Sequence, residues 1–166
     1  MKKLRLLSTI ADLAWYLSIL ALFIMFGLFI YALIAGDDSI VTLHGEYINL
    51  KDPWHLLLIG MGLSISLILL YALFLFRKVL SSFRGMQLFR IEVIDNLKRI
   101  GNLIMIAGVL SFFVDFLFDL KVHPEVSIKF IPVQLVAYLV IGSFFIVLAE
   151  VFARGKELQE ENELTV

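Results

Sequence analysis

The sequence predicts an all-α membrane protein, with four transmembrane helices in an antiparallel bundle and a small extracytoplasmic β-hairpin cap. Two observations carry the membrane assignment. Of 166 residues, 61% are hydrophobic and only 17% charged, against roughly 45–50% apolar and about 25% charged in soluble domains. A compact domain of this size leaves roughly 30% of its unfolded-chain surface in water, so a soluble version would display large apolar patches. The apolar residues also fall in four long runs, each suited to crossing a hydrocarbon core ~30 Å thick at ~1.5 Å per residue.

The first run, Leu13 to Ala35, carries no charge and follows Met1-Lys2-Lys3-Leu4-Arg5. A secretory signal opens the same way, but its apolar part is roughly 7–15 residues long, so this run reads as an uncleaved helix. The second, Leu56 to Phe76, is entered through Asp52-Pro53-Trp54, an N-cap residue followed by proline at the first helical position. The third, Ile100 to Phe118, holds one charge, Asp115, and the fourth, Phe130 to Ala149, begins near Pro132 and runs into Glu150. With their flanks the spans cover about residues 10–35, 55–77, 98–118 and 130–152 of one integral membrane domain. Outer loops occupy 36–54 and 119–129, a cytoplasmic loop 78–97 and a cytoplasmic tail 153–166.

Orientation follows from the cations, because Lys and Arg in short flanking segments stay in the cytoplasm. Lys2, Lys3 and Arg5 precede span one, Arg77, Lys78, Arg84, Arg90, Lys98 and Arg99 separate spans two and three, and Arg154 and Lys156 follow span four. Only Lys51, Lys121 and Lys129 lie on the opposite side, which places both termini in the cytoplasm.

In the first outer loop, Ile40-Val41-Thr42-Leu43 and Glu46-Tyr47-Ile48-Asn49-Leu50 flank His44-Gly45, the pattern of a short hairpin. Val126 to Phe130 offers a third strand. On the cytoplasmic side, span two is expected to continue as helix, break near Gly85 and resume toward span three, and helix four to extend into the tail.

Net charge is −1, so there is no basic field for direct binding of nucleic acid, and the absence of cysteine removes disulfides, thiolate nucleophiles and Cys-type metal sites. The sequence holds no phosphate-binding glycine loop, no His-Glu-x-x-His and no serine elbow. His44, His55 and His123 all fall on the outer side, but none are spaced as a helical metal pair, and no metal or cofactor is expected. Ionisable and amide groups in the spans mark functional candidates because a central charge costs about 2.5–3.5 kcal/mol. These are Asp12, Asn102, Asp115, Gln134 and Glu150. Internal pairing accounts for Asp12, at the basic interface, and for Glu150, one turn from Arg154. Asp115 and Asp119 share a face near the outer water. Ser64, Ser66, Ser111 and Ser143 read as interhelical hydrogen-bonding positions, and Gly60, Gly62, Gly101, Gly108 and Gly142 as close-packing ones. Gly60 and Gly62 do not form GxxxG, and self-association stays open.

Two stretches, Phe83 to Gly101 (FRGMQLFRIEVIDNLKRIG) and Val147 to Val166 (VLAEVFARGKELQEENELTV), resemble the bacterial domain-of-unknown-function family 2975. Its members are small four-span membrane proteins. Their middle segment ends in Leu-basic-basic-Ile-Gly, matched by Leu97-Lys98-Arg99-Ile100-Gly101, and their tail matches Ala149-Glu150-Val151-Phe152 through Thr165. Where members often start a helix with Thr-Glu-Glu-Asn, this chain has Arg90-Ile91-Glu92-Val93. The resemblance implies the bacterial cytoplasmic membrane and no enzymatic activity. It also implies a partner, a small helix-turn-helix regulator commonly encoded beside such proteins.

The expected function is thus a non-enzymatic, multi-pass inner-membrane protein that docks or sequesters such a regulator. Arg84, Arg90, Lys98 and Arg99 would supply one charged surface, and Glu157, Glu160 and Glu161 the other. The rival readings are a small transporter, channel or lipid-handling protein, or an immunity protein against a membrane-active toxin. A water-filled cleft lined by Asn102, Ser111, Gln134 and Glu150 would favour transport.

Overall fold

The computed structural model describes residues 2–35, 42–43, 46–47, 52–85, 89–122 and 132–164. Four helices dominate it: α1 (Lys2–Ala35), α2 (Pro53–Arg84), α3 (Ile91–Val122) and α4 (Val133–Leu164). They contain 34, 32, 32 and 32 residues. At ~1.5 Å per residue each is roughly 50 Å long, well beyond the ~30 Å of hydrocarbon. All four are long and apolar enough to span, which makes the chain a multi-pass membrane protein.

Local chemistry sets the ends. The Asp52 carboxylate accepts a 3.0 Å hydrogen bond from the Trp54 N–H, and Pro53 occupies the first helical position, where a missing N–H costs nothing. At the other end of α2 the Gly85 N–H donates back to the Ser81 carbonyl, and the chain turns. The α3 helix starts directly after Arg90, a side chain with no acceptor to offer the first turn. The α4 helix opens on the Pro132 carbonyl, which accepts from the Leu135 N–H at 2.9 Å.

Consecutive helices pack antiparallel, but the four do not close into a bundle. Among the described residues α1 approaches α2 alone, whereas α2, α3 and α4 pack on one another in sequence. Side chains join α2 to α4 as well, through Phe76 with Phe145 (ring centroids 5.8 Å apart) and Phe83 with Phe152 (5.5 Å). The expected four-helix bundle is therefore a three-helix core with α1 on its flank. The α1 sequence supplies the reason. Ser8 and Ala11 let its first third lie close on α2 and are buried, but Phe23, Ile24, Met25 and Phe26 are exposed side chains on every face. In lipid such surface gains nothing from burial against protein, so no force draws the rest of α1 inward.

The main core lies at the end carrying the termini and the α2–α3 turn, called here the basic end. Leu75, Val79, Val93, Ile94, Leu97, Ile100 and Ala149 are buried there, with Val79, Val93, Leu97 and Ile100 only 1% exposed. A second cluster, Leu58, Val114 and Phe118, joins α2 to α3 at the opposite end.

The β-hairpin cap is not a feature of this fold. Strands β1 (Thr42–Leu43) and β2 (Glu46–Tyr47) pair antiparallel, Thr42 opposite Tyr47 and Leu43 opposite Glu46, but each is two residues long. Among the described residues they pack on no helix, and so small a ladder covers nothing. The proposed third strand, Val126 to Phe130, lies outside the described residues, as do His44 and His123.

Candidate functional site

Among the described residues most of the ion pairs lie at the basic end. Asp12 faces α2 one turn after Ser8, where the small residues bring the two backbones together. Its Oδ1 accepts a 2.6 Å hydrogen bond from Arg77 Nε, and its Oδ2 lies 3.9 Å from Arg84 Nη2. The Arg77 guanidinium also lies 4.3 Å from the Trp15 ring centroid and 5.5 Å from that of Tyr16. Trp15 and Tyr16 follow Asp12 by three and four residues and so project from the same side of α1. The knot neutralises the buried edge of Arg77 and fastens the flanking helix. Asp12 is thus internally paired, as the sequence indicated, and Arg84 shares it. The aromatic walls were not singled out in the sequence, although the Asp-x-x-Trp-Tyr spacing carries them.

Glycines form the seam between α3 and α4. A Cβ on Gly101 would lie 2.6 Å from the Gly142 carbonyl oxygen, and one on Gly142 2.8 Å from the Gly101 oxygen. One on Gly108 would collide with the Tyr138 Cβ. These three are close-packing positions. Gly60 and Gly62 are not, because added Cβ atoms there would meet nothing within 4 Å. Gly60 borders an open groove of about 280 Å³ together with Leu57, Met61, Ser64 and Leu110.

Toward the tail, Phe89 packs over Gly155, its Cε1 2.5 Å from where a Cβ would stand, and its ring centroid lies 6.0 Å from that of Phe152. This contact holds the start of α3 against α4, in place of a polar helix cap. Beyond it α4 runs on to Leu164, presenting Glu157, Glu160, Glu161 and Glu163 on its exposed surface. Lys156 Nζ lies 3.4 Å from Glu160 Oε1, and Gln159 donates to Glu163 at 3.1 Å. Arg90 lies 4.0 Å from Glu92 across the α3 start. Lys98 and Arg99 are exposed on α3.

The remaining intramembrane candidates do not converge. Gln134 Nε2 donates to Ser111 Oγ at 3.4 Å, linking α4 to α3. Glu150 Oε1 accepts from Arg154 at 3.4 Å on the exposed side of α4. Asn102 is exposed, and Asp115 is half-buried in α3 and engaged in an interaction. Among the described residues no hydrogen bond or ion pair joins Asn102 or Glu150 to the Ser111–Gln134 pair. The serines on α2 bond within their own helix rather than between helices, Ser64 to the Gly60 carbonyl (2.8 Å) and Ser66 to that of Gly62 (3.0 Å). In lipid the carbonyl one turn back is the nearest acceptor. At the opposite end His55 Nδ1 lies 3.7 Å from Asp52 Oδ2. Among the described residues no three His, Asp or Glu side chains gather as a metal set.

No curated protein and no solved structure matches this chain. One family model does, over residues 7–166, so that α1 to α4, the glycine seam and the acidic tail all fall within it. The chain belongs to the family described as "Protein of unknown function (DUF2975)".

Proposed function

We propose that the chain is a non-enzymatic protein of the bacterial cytoplasmic membrane whose basic end faces the cytoplasm and docks a small helix-turn-helix regulator. The observation that supports this reading is the position of the main core. The larger buried cluster lies where α2, α3 and α4 reach the basic end, and Phe89 over Gly155 holds the α2–α3 turn against α4. A rigid base of this kind holds α4 upright as it leaves the membrane. Its exposed Glu157, Glu160, Glu161 and Glu163 form an acidic surface matched to the basic face with which such regulators meet DNA phosphates. Arg90 borders the same base. Arg84 is partly engaged by Asp12 and contributes less. The partner's class comes from the family resemblance, and its charge is what the tail complements.

Orientation rests on the distribution of Lys and Arg. Because the chain has no cysteine, single cysteines at Glu92 and Glu161 will react with a membrane-impermeant maleimide only after inner-face exposure. Labelling of intact cells would reverse the topology. Docking is tested by affinity capture from mildly solubilised native membranes, comparing the full chain with one ending at Lys156. A helix-turn-helix protein recovered by the full chain alone supports sequestration by the tail. Equal recovery by both forms removes the tail from the contact, and recovery by neither removes the docking function.

A further inference from the structure

The exposed side chains of α3 form one continuous stripe, and its chemistry changes along the helix. From Asn102 toward the opposite end the stripe reads Ile106, Val109, Phe113, Phe116 and Leu120, all exposed and all apolar. The distance from Asn102 to Leu120 is about 27 Å at ~1.5 Å per residue, close to the ~30 Å hydrocarbon thickness. A hydrocarbon layer matched to this stripe would put Asn102 at its boundary and Lys98 and Arg99, about one turn earlier, level with the lipid phosphates. Lys98 and Asn102 are four residues apart and Arg99 and Asn102 three, so the three side chains share one side of the helix.

Within the described part of the chain these three groups find no polar partner. Among the described residues Lys98, Arg99 and Asn102 make no ion pair or side-chain hydrogen bond, although Asp95 lies one turn away toward water. The contrast is with Arg77, Arg84, Arg90, Arg154 and Lys156 at the same end, each within 4.0 Å of a carboxylate. An amide exposed at the edge of hydrocarbon needs a partner, since water is scarce there and an unmet polar group is costly.

We propose that Lys98, Arg99 and Asn102 form a binding site for the headgroup of an anionic phospholipid in the leaflet at the basic end. The two cations meet the phosphate, and the Asn102 amide donates to the phosphate or glycerol ester oxygens just below it. Phosphatidylglycerol carries the phosphate charge with no headgroup cation to repel Lys98 and Arg99, which favours it over a zwitterionic lipid. The site goes beyond the docking function and assigns Lys98 and Arg99 to the bilayer, leaving Arg90 and the tail for the regulator.

The test uses the purified full chain in mild detergent, titrated with phosphatidylglycerol or phosphatidylcholine, with bound lipids counted by native mass spectrometry. The wild type is expected to prefer phosphatidylglycerol by about tenfold. Lys98→Gln with Arg99→Gln brings the ratio near one, Asn102→Leu reduces retention of both lipids, and Arg90→Gln changes neither. A wild type without preference overturns the site, as does a preference that survives the double substitution. Displacement of the lipid by millimolar inorganic phosphate would make the ligand a free anion instead. Disulfide formation between copies carrying Asn102→Cys would give this face to a second chain. The tail truncation leaves the lipid ratio unchanged, so failure here and failure of docking are separate results.

Discussion

Asp12 on the flanking helix accepts a 2.6 Å hydrogen bond from Arg77 on α2, and this ion pair is the polar fastening between α1 and the three-helix core. Both side chains are only partly exposed, which raises the cost of leaving either one alone. The pair stands where α1 is still in close contact with α2, before its large apolar side chains turn to lipid.

Removing one partner should therefore loosen α1 without unfolding the core. Asp12→Ala and Arg77→Ala are each expected to lower stability by roughly 1–3 kcal/mol, with Arg77→Ala the more severe because it also loses the Trp15 face. In thermal unfolding in detergent, a double-mutant cycle should show coupling of the two. Strict additivity would mean that the pair contributes nothing.

The glycines should rank by what their added methyl would strike. Gly101→Ala and Gly142→Ala press on backbone carbonyls, and Gly108→Ala on the base of Tyr138, so each should destabilise the α3–α4 seam by about 1–3 kcal/mol. Gly155→Ala meets the edge of the Phe89 ring, which can swing aside, and should cost less. Gly60→Ala and Gly62→Ala meet open space and should be neutral or gain up to about 1 kcal/mol from helix propensity. Melting temperatures of the series decide it; a loss at Gly60 as large as that at Gly142 would show that another chain covers the α2 groove.

If Phe89 is what holds the α3 start, Phe89→Ala should speed amide exchange in the first turn of α3 while leaving that around Val114 and Phe118 unchanged. The two regions belong to separate clusters, so the effect should stay local. Uniform acceleration would instead mean that the two clusters unfold as one.

The Gln134–Ser111 bond is long at 3.4 Å and lies on an exposed side chain. Gln134→Leu is accordingly expected to cost less than about 1 kcal/mol, in keeping with most interhelical hydrogen bonds in lipid. A transport role for this pair would instead predict loss of a solute flux with stability unchanged.

The four spans, the Asp52-Pro53 start of α2, the break at Gly85 and the helical tail were legible in the sequence, because each depends on local chemistry. Hydrocarbon demands an uncharged run of set length, and a cap or a turn is fixed by the few residues that form it. The pairing of Asp12 was legible too, since a carboxylate near lipid must find a cation. What the sequence could not supply was which helices meet. In lipid, apolar side chains are equally content against protein or acyl chains, so hydrophobicity does not say that α1 stays on the flank. Whether a glycine is a contact depends on what stands opposite, and Gly101 and Gly60 look alike until Gly142 appears against one and an open groove beside the other. The aromatic contact of Phe89 with Gly155 joins residues far apart in the chain, and only the tertiary structure decides it. Composition and local pattern made this a four-span membrane protein, and packing geometry alone chose its core, its flank and its exposed faces.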